Sequence, residues 1–447
     1  MLTLDKPLLY KHYAATETFG TDSISMRAEV GLLTRNVKYR GDPETSAKNK
    51  YGAHIMLHAP GDEACIGRIM YVELTDVGQA FKLGRYPIHF HLIGTVAKSI
   101  VKGNSIHQTY NRAVTIHAVS YFNVIQNVIY NTMGHSIFIE DAIETKNVID
   151  GNLVMVTKRS FSLLNSDQTP ASFWITNPDN VIINNHAAGS DRYGFWYDTK
   201  KHPLGPSFTE TICPENTRLG EFRGNVAHSN QRYGLRIFHT HIPRTRPCDP
   251  IIFDDSNPLA VGAPYPSNPA ITAVYQDFVA WKNGRNGAIA EFTGAVIWKN
   301  FKVADNLRCG LEWSAPDDSV MKKGISYIDG AVIIGKSGNT EDALEKAAPI
   351  GLITPRGNEY WSAKNISFFS FNFANVAPAI EDCSHCEFAD STDSGARTVS
   401  LSGLKFDNTI IKRVRYNMYW RGIFFDEDGS LTGLGPGSWA VANFLHN

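Results

Sequence analysis

The sequence predicts an all-β fold: a parallel β-helix wound from coils of about two dozen residues. Three observations predict it. First, a corner motif repeats. Asn123-Val-Ile-Gln-Asn127 and Asn147-Val-Ile-Asp-Gly-Asn152 begin 24 residues apart, and Asn180-Val-Ile-Ile-Asn-Asn185 follows 33 later, the excess being an insert with Asp167-Gln-Thr-Pro170. Second, a short apolar strand recurs beside each corner: Gly84-Arg-Tyr-Pro-Ile-His-Phe-His91, Arg112-Ala-Val-Thr-Ile-His117, His135-Ser-Ile-Phe-Ile-Glu-Asp141, Arg159-Ser-Phe-Ser-Leu-Leu-Asn165 and Arg192-Tyr-Gly-Phe-Trp-Tyr-Asp198. Third, no helical pattern alternates with these strands, which argues against a βαβ fold. The Leu-x-x-Leu-x-Leu spacing of a leucine-rich repeat is also absent.

Three strands of about five residues plus bends fill one such coil. Taken in order, residues 1–50 read as extended segments and turns, with a strand over residues 26–36. His54-Ile-Met-Leu-His58 and Gly67-Arg-Ile-Met-Tyr-Val-Glu-Leu74 are further strands. The repeats run from residue 41 to 427 and loosen after Asp198, with a Pro- and Asp-rich loop around 240–270. Residues 341–348 predict one short helix, and the Gly-rich residues 428–447 a peripheral tail.

The chain has 447 residues, too many for one ordinary core unless that core is elongated. Hydrophobic residues make up 43% and charged residues only 19%, as in a folded protein. A net charge of −1 gives no bulk attraction for nucleic acid or anionic membrane, so anion recognition requires a local patch. No stretch approaches the ~20 apolar residues of a transmembrane helix. The N-terminus lacks a signal-peptide pattern and reads as the tail of a strand, as in a fragment. Cys213 and Cys248 flank the Pro-rich excursion and can pair. Cys383-Ser-His-Cys386 has zinc-like spacing without a second pair, and Asn365-Ile-Ser is a lone glycosylation sequon.

Aligning the five strands gives two apolar columns: Ile88, Val114, Ile137, Phe161, Gly194, and then Phe90, Ile116, Ile139, Leu163, Trp196. Side chains alternate faces along a strand, so the residues between point outward. These are His89, Thr115, Phe138, Ser162 and Phe195, then His91, His117, Glu140, Leu164 and Tyr197. Neighbouring strands lie about 4.8 Å apart, so His91, His117 and Glu140 stand in one column with His89 beside them. Leu164 interrupts that column at the fourth coil. Asp141, Asn165 and Asp198 fall one position on, where a corner frees Asp141 to join the outer surface. Arg112, His135, Arg159 and Arg192 form a strip before the strands.

Two chemistries suit this cluster. His89, His91, His117 and Glu140 can hold one divalent metal ion. Alternatively, Glu140 with Asp141 or Asp198 supplies the carboxyl pair of a glycosidase, with His91 and His117 as proton partners. Arg112, Arg159, Arg192 and Asp198 would then bind an acidic sugar. Each residue also has a structural reading: single histidines are common on a solvated sheet, opposite charges pair across coils, and Asn serves at corners.

Several long motifs carry a family likeness. Ala28-Glu-Val-Gly-Leu-Leu-Thr-Arg-Asn36, Gly84-Arg-Tyr-Pro-Ile-His-Phe-His-Leu92, Ile106-His-Gln-Thr-Tyr-Asn-Arg-Ala-Val-Thr-Ile-His117, Phe138-Ile-Glu-Asp141 and Thr169-Pro-Ala-Ser-Phe-Trp-Ile-Thr-Asn-Pro178 resemble the fibrocystin-L family. The cell-migration-inducing and cell-surface hyaluronidases share a looser version. The likeness covers residues 1–240 and fades afterwards. It implies a right-handed parallel β-helix following a glycine-named β-rich domain, of which residues 1–40 are the last strands. It implies a parent protein that is secreted or membrane-anchored at the cell surface. The family holds large receptor-like proteins and hyaluronan-degrading enzymes, and this sequence is more similar to the first. Three functions follow as expectations: a module binding matrix glycans or partner proteins, a hyaluronan-type hydrolase, or a structural spacer.

Overall fold

The structure is a computed structural model. It describes residues 5–8, 12–161, 165–238, 240–249, 268–314, 326–355, 361–374, 377–382, 397–409, 414–416 and 422–441. The chain winds into a parallel β-helix with two strand systems. A front sheet of twelve strands takes one strand from each coil, from Ile55–His58 to Val414–Tyr416. A back sheet of 22 strands takes the rest, two from most coils. In one coil these are Ile100–Lys102 and Ser105–Thr109 at the back, then Val114–Ser120 at the front.

The inner columns are the physical reason for the winding. One front column runs Ile55, Ile88, Val114, Ile137, Phe173, Phe195, Leu235, Ala288, Leu311, Leu352, Ile380 and Val414. All but Ile55 are buried. Each large member contributes about 1.5–3 kcal/mol by leaving water. Because the core is a continuous stack, no coil can bury its apolar face alone.

The corners are held by buried asparagines. Asn104, Asn127, Asn152, Asn185 and Asn225 form a ladder in which each Nδ2 donates to the next Oδ1 at 2.9–3.2 Å. Asn230, Asn283 and Asn306 repeat this at 2.9 Å in later coils. The same oxygens accept backbone N–H groups, so the turns leave no orphaned donors at these positions. The expected corner role of Asn is met, in the form of a buried ladder.

Several local expectations change. Residues 28–36 are not a strand; the segment follows a hairpin of Ala14–Phe19 and Asp22–Arg27 and is held by Ala28 N donating to Tyr13 O and Arg35 N donating to Glu73 Oε2. That hairpin packs Ile24 and Met26 against Trp281, Val332, Ile334 and Phe369 on the back sheet. Val37–Arg40 pairs in parallel with Val72–Val77, so these residues belong to the helix itself. Residues 67–74 divide into two strands at Tyr71, whose φ is 56°. The short helix is Asp342–Ala347. Within the Gly-rich tail, Ser438–Val441 pairs antiparallel with Gly422–Asp426. Most of the 240–270 loop and the Cys383-Ser-His-Cys386 motif lie outside the described residues. Cys213 and Cys248 are joined in a disulfide, with Cα atoms 5.2 Å apart.

The fourth and fifth coils correct the register: in the fifth, Phe195 and Tyr197, expected outward, line the core in place of Gly194 and Trp196. Ile137 pairs with Phe173, not Phe161, and Phe173 pairs with Phe195. Phe161 is 72% exposed, and Ser162, Leu163 and Leu164 lie outside the described residues. The front strand of the fourth coil is Ala171–Ile175, after an insert with a short 3₁₀ turn, Asn165–Gln168. Residues 159–163 mimic the alternation of a strand but sit before the insert.

Candidate functional site

His91, His117 and Glu140 stand in one outward column at the C-terminal ends of successive front strands. His117 pairs with His91, and Glu140 N donates to Ile116 O at 3.1 Å. His58 precedes them and pairs with His91. In the corrected register the column continues to Thr176 and Asp198, not Leu164 and Tyr197. With His89, Asp141, Phe138, Trp174 and Tyr86 they line a pocket of about 730 Å³. The segment Leu204-Gly205-Pro206 forms the opposite wall. Leu204 N donates to Asp141 O at 3.0 Å, and Ser207 Oγ donates to Asp141 Oδ2 at 2.7 Å. The disulfide ties the end of this loop to residue 248.

The strand ends are bent to aim these groups. Leu92 and Ala118, directly after His91 and His117, have φ of 53° and 49°, and the ladder shifts register between His117 and Val119. Such backbone costs about 1–2 kcal/mol per residue outside glycine, and strain of this kind collects at functional sites. Ala142 has φ 79°, so the chain turns after Asp141 and its carboxylate reaches the outer surface.

The imidazoles touch. His91 Nδ1 and His117 Nδ1 are 2.9 Å apart. His117 Nε2 lies 2.8 Å from Asp141 Oδ2, and its Nδ1 lies 3.4 Å from Glu140 Oε2. His89 Nδ1 is 3.0 Å from Gly84 O. Donor atoms of His89, His91 and His117 all lie within 4.8 Å of one another. His89 Nε2 and Glu140 Oε2 are buried without a hydrogen-bond partner. A donor set of imidazole nitrogens and a carboxylate, two of its atoms buried and unsatisfied, fits a divalent transition-metal ion.

Electrostatics separate the groups. Burial holds His89 down to about 3, so it is a neutral imidazole. Burial, with repulsion from His117 and His58, also lowers His91. Burial opposes charge on His117, but the Asp141 bond and the Glu140, Asp141 and Glu144 charges outweigh it and raise His117. Burial raises Glu140 against the pull of Arg112 and His117. Glu144 lies behind the site, accepts N–H groups of Ala118, Asp141 and Ala142, and is pushed up by burial to about 7.

Arg112 is a correction. It is fully buried, so it cannot meet a ligand. Its guanidinium is held by both Asp167 oxygens at 2.8 and 3.2 Å, lies 3.5 Å from Glu140, and stacks 3.7 Å over Phe138. Asp167 comes from the insert, which explains why that coil is longer. His135 is likewise structural: Ala171 N donates to its Nδ1 at 3.0 Å, and Trp174 covers it at 4.2 Å. Asp198 lines the pocket and accepts from Lys200 Nζ at 2.8 Å.

Arg159 and Arg192 lie away from the pocket, at the other end of the front strands. Both approach Gln231 Oε1, at 3.5 and 3.4 Å. Arg192 begins a column the sequence reading missed. Arg232 N donates to Arg192 O, Arg285 N to Arg232 O, and Arg308 N to Arg285 O, each at 2.8 Å. The signal was Arg-x-Gly, repeated at Arg192, Arg232, Arg285 and Arg308. Its glycines, Gly194, Gly234, Gly287 and Gly310, leave no room for a Cβ, which would stand 2.5–2.7 Å from the next coil's carbonyl. Arg308 pairs with Glu312. Among the described residues no carboxylate side chain pairs with Arg159, Arg192, Arg232 or Arg285. Burial, with repulsion from Arg159 and Arg232, lowers Arg192. Arg285 Nη1 donates to Tyr233 OH at 3.3 Å. Tyr233 belongs to an aromatic cluster with Tyr193, Trp196 and Trp174, the last a pocket wall. The arginine corner and the pocket thus border one face.

The family described as CEMIP beta-helix matches residues 50–235. Fibrocystin-L of Homo sapiens is 34% identical over 97% of this chain and 11% of its own length. Fibrocystin-L of Mus musculus is 40% identical over 70% of this chain and 8% of its own. The cell surface hyaluronidase CEMIP2 of Homo sapiens is 33% identical over 71% of this chain and 26% of its own. The chain therefore spans about a tenth of the fibrocystin-L proteins it matches. The wound parallel sheets and the long shared motifs go with this similarity: the chain resembles fibrocystin-L over most of its length and matches the CEMIP beta-helix over residues 50–235.

Proposed function

We propose that this chain is an extracellular or cell-surface β-helix module that binds an acidic matrix glycan on the outer face of its front sheet. The observation that carries the reading is the arginine corner. Arginines recurring once per coil on strands about 4.8 Å apart, with Arg192, Arg232 and Arg285 lacking carboxylate partners among the described residues, suit a linear polyanion. The disulfide supports an oxidising compartment. The relatives named as a cell surface hyaluronidase and a hyaluronan-binding protein point to hyaluronan as the first ligand to try. The test is calorimetric titration of the chain with hyaluronan oligosaccharides at two salt concentrations. Binding that weakens with salt and disappears in Arg192→Ala with Arg232→Ala supports the reading; no binding at low salt removes it.

A second reading, hydrolysis in the pocket, is favoured by one observation. Glu140, raised by burial, neighbours Asp141, which is hydrogen-bonded to His117. Two neighbouring carboxyl groups are the pair that glycoside hydrolysis uses. Glu140 would donate the proton to the leaving oxygen. Purified chain should shorten hyaluronan, and Glu140→Gln should abolish it. Polymer left intact after long incubation refutes this reading.

A further inference from the structure

We infer that His89, His91 and His117, with Glu140 beside them, form a binding centre for one divalent transition-metal ion, zinc foremost. The inference goes beyond glycan recognition and does not need it, because the arginine corner is built from other residues.

The argument is geometric. A tetrahedral zinc with ligands at about 2.0–2.1 Å sets its donor atoms roughly 3.3 Å apart. His91 Nδ1 and His117 Nδ1 are already 2.9 Å apart, and the third imidazole lies within 4.8 Å of both. Rotations of side chains alone close that gap. Two of the three rings are oriented from behind. Gly84 O takes the Nδ1–H of His89, which fixes its tautomer and leaves Nε2 as a bare lone pair. That Nε2 is buried and has no partner. Asp141 takes the Nε2–H of His117 at 2.8 Å and turns Nδ1 toward His91. A carboxylate or carbonyl behind each histidine is the usual support of a metal ligand. Glu140 Oε2, also buried without a hydrogen bond, lies 3.4 Å from His117 Nδ1 and completes the set. Without a metal, the two facing Nδ1 atoms must share a proton; a metal ion replaces it. Nitrogen-rich donors select zinc, nickel, copper or cobalt over calcium and magnesium.

The test uses the chain stripped with chelator and titrated with zinc chloride by calorimetry, with metal content measured after dialysis. We expect one zinc per chain, no calcium, and a loss of at least tenfold in affinity in His91→Gln and in His117→Gln. The off-site control His107→Gln should bind as the unaltered chain does. Cobalt is the second readout: it should give the intense visible bands of a four-coordinate site, lost in the same variants. Circular dichroism and melting of each variant separate a lost ligand from a lost fold. Zinc absent from the stripped and reloaded chain, or bound equally by the double variant His89→Gln with His91→Gln, overturns the inference. Glycan binding measured on the same variants reports on the arginine corner and fails or survives separately.

Discussion

His91 and His117 meet Nδ1 to Nδ1 at 2.9 Å across one coil step, while Asp141 holds the far nitrogen of His117. Asp141 is thus a positioning residue for that contact. In Asp141→Asn the ring loses its carboxylate, and His117 becomes less basic. We expect zinc affinity to fall about 10–100-fold with the melting temperature nearly unchanged. An affinity equal to that of the unaltered chain would refute the positioning role.

Arg112 and Asp167 form a buried pair that carries the insert into the site. Removing one partner leaves an uncompensated buried charge. We expect Asp167→Ala to destabilise the fold by about 3–5 kcal/mol, read from urea unfolding. Glu140, 3.5 Å from Arg112, is then its remaining acidic partner, so the Glu140 carboxyl should titrate lower in that variant.

The asparagine ladder makes a sharper stability test. Asn152 gives to Asn185 and Val124 and receives from Asn127, all in the interior. Asn152→Ala strands at least two buried groups, each costing about 1–3 kcal/mol. Asn184, exposed beside Asn185, donates its side-chain amide to Asp150 at 2.9 Å on the surface. Asn184 has φ 54°, which Asn tolerates better than Ala, so we expect Asn184→Ala to cost about 1 kcal/mol, less than Asn152→Ala.

Acid should weaken the fold through its buried histidines, against an opposing gain from Glu144, whose carboxyl takes up its proton near 7. Burial depresses His135 to about 3 and His241 to about 4. Both are neutral in the folded chain, whereas unfolded histidines bind protons near 6.5. Their contribution is intact above about pH 6.5 and declines as pH falls toward their folded values, by at most about 1.4 kcal/mol per pH unit for each. Glu29, drawn down to about 2 by His186 and His228 after overcoming burial, loses its contribution only below about 4.5. Melting temperature measured from pH 7 to 5 in Glu144→Gln, which removes the opposing carboxyl, should therefore fall, and a flat profile in that variant would contradict the buried neutral state.

The arginine corner predicts a graded response. Arg232→Ala alone should weaken glycan binding and reduce its sensitivity to salt, since exposed charges are screened beyond about 8–10 Å at ordinary ionic strength. Arg308→Ala should do less, because Glu312 already neutralises it. Titrations at two salt concentrations compare the two.

The first three coils were legible because their strands are evenly spaced. Alternation alone placed His89, His91, His117 and Glu140 outward, and a corner freed Asp141. The fourth coil was not, because residues 159–163 alternate like a strand while the true strand, Ala171–Ile175, follows the insert. Arg112 was misread for a different reason. A charged residue at a coil corner looks the same in sequence whether it faces water or a buried partner, and its partner Asp167 is 55 residues away. The arginine corner was half seen, since Arg159 and Arg192 were noted but the Arg-x-Gly period behind them was not.

The bulges after His91 and His117 give the site an unusual sensitivity to chain length. Core and site are interleaved on one strand: Ile116 faces inward and His117 outward, Phe90 inward and His91 outward. Deleting a single residue upstream within Val114–Ser120 would exchange those faces, placing an imidazole in the apolar stack and an isoleucine in the pocket. Insertions accumulate instead between strands, as with the turn that delivers Asp167. Descendants of this chain can therefore vary the walls of the pocket by lengthening loops, while its floor can change only by one-for-one replacement.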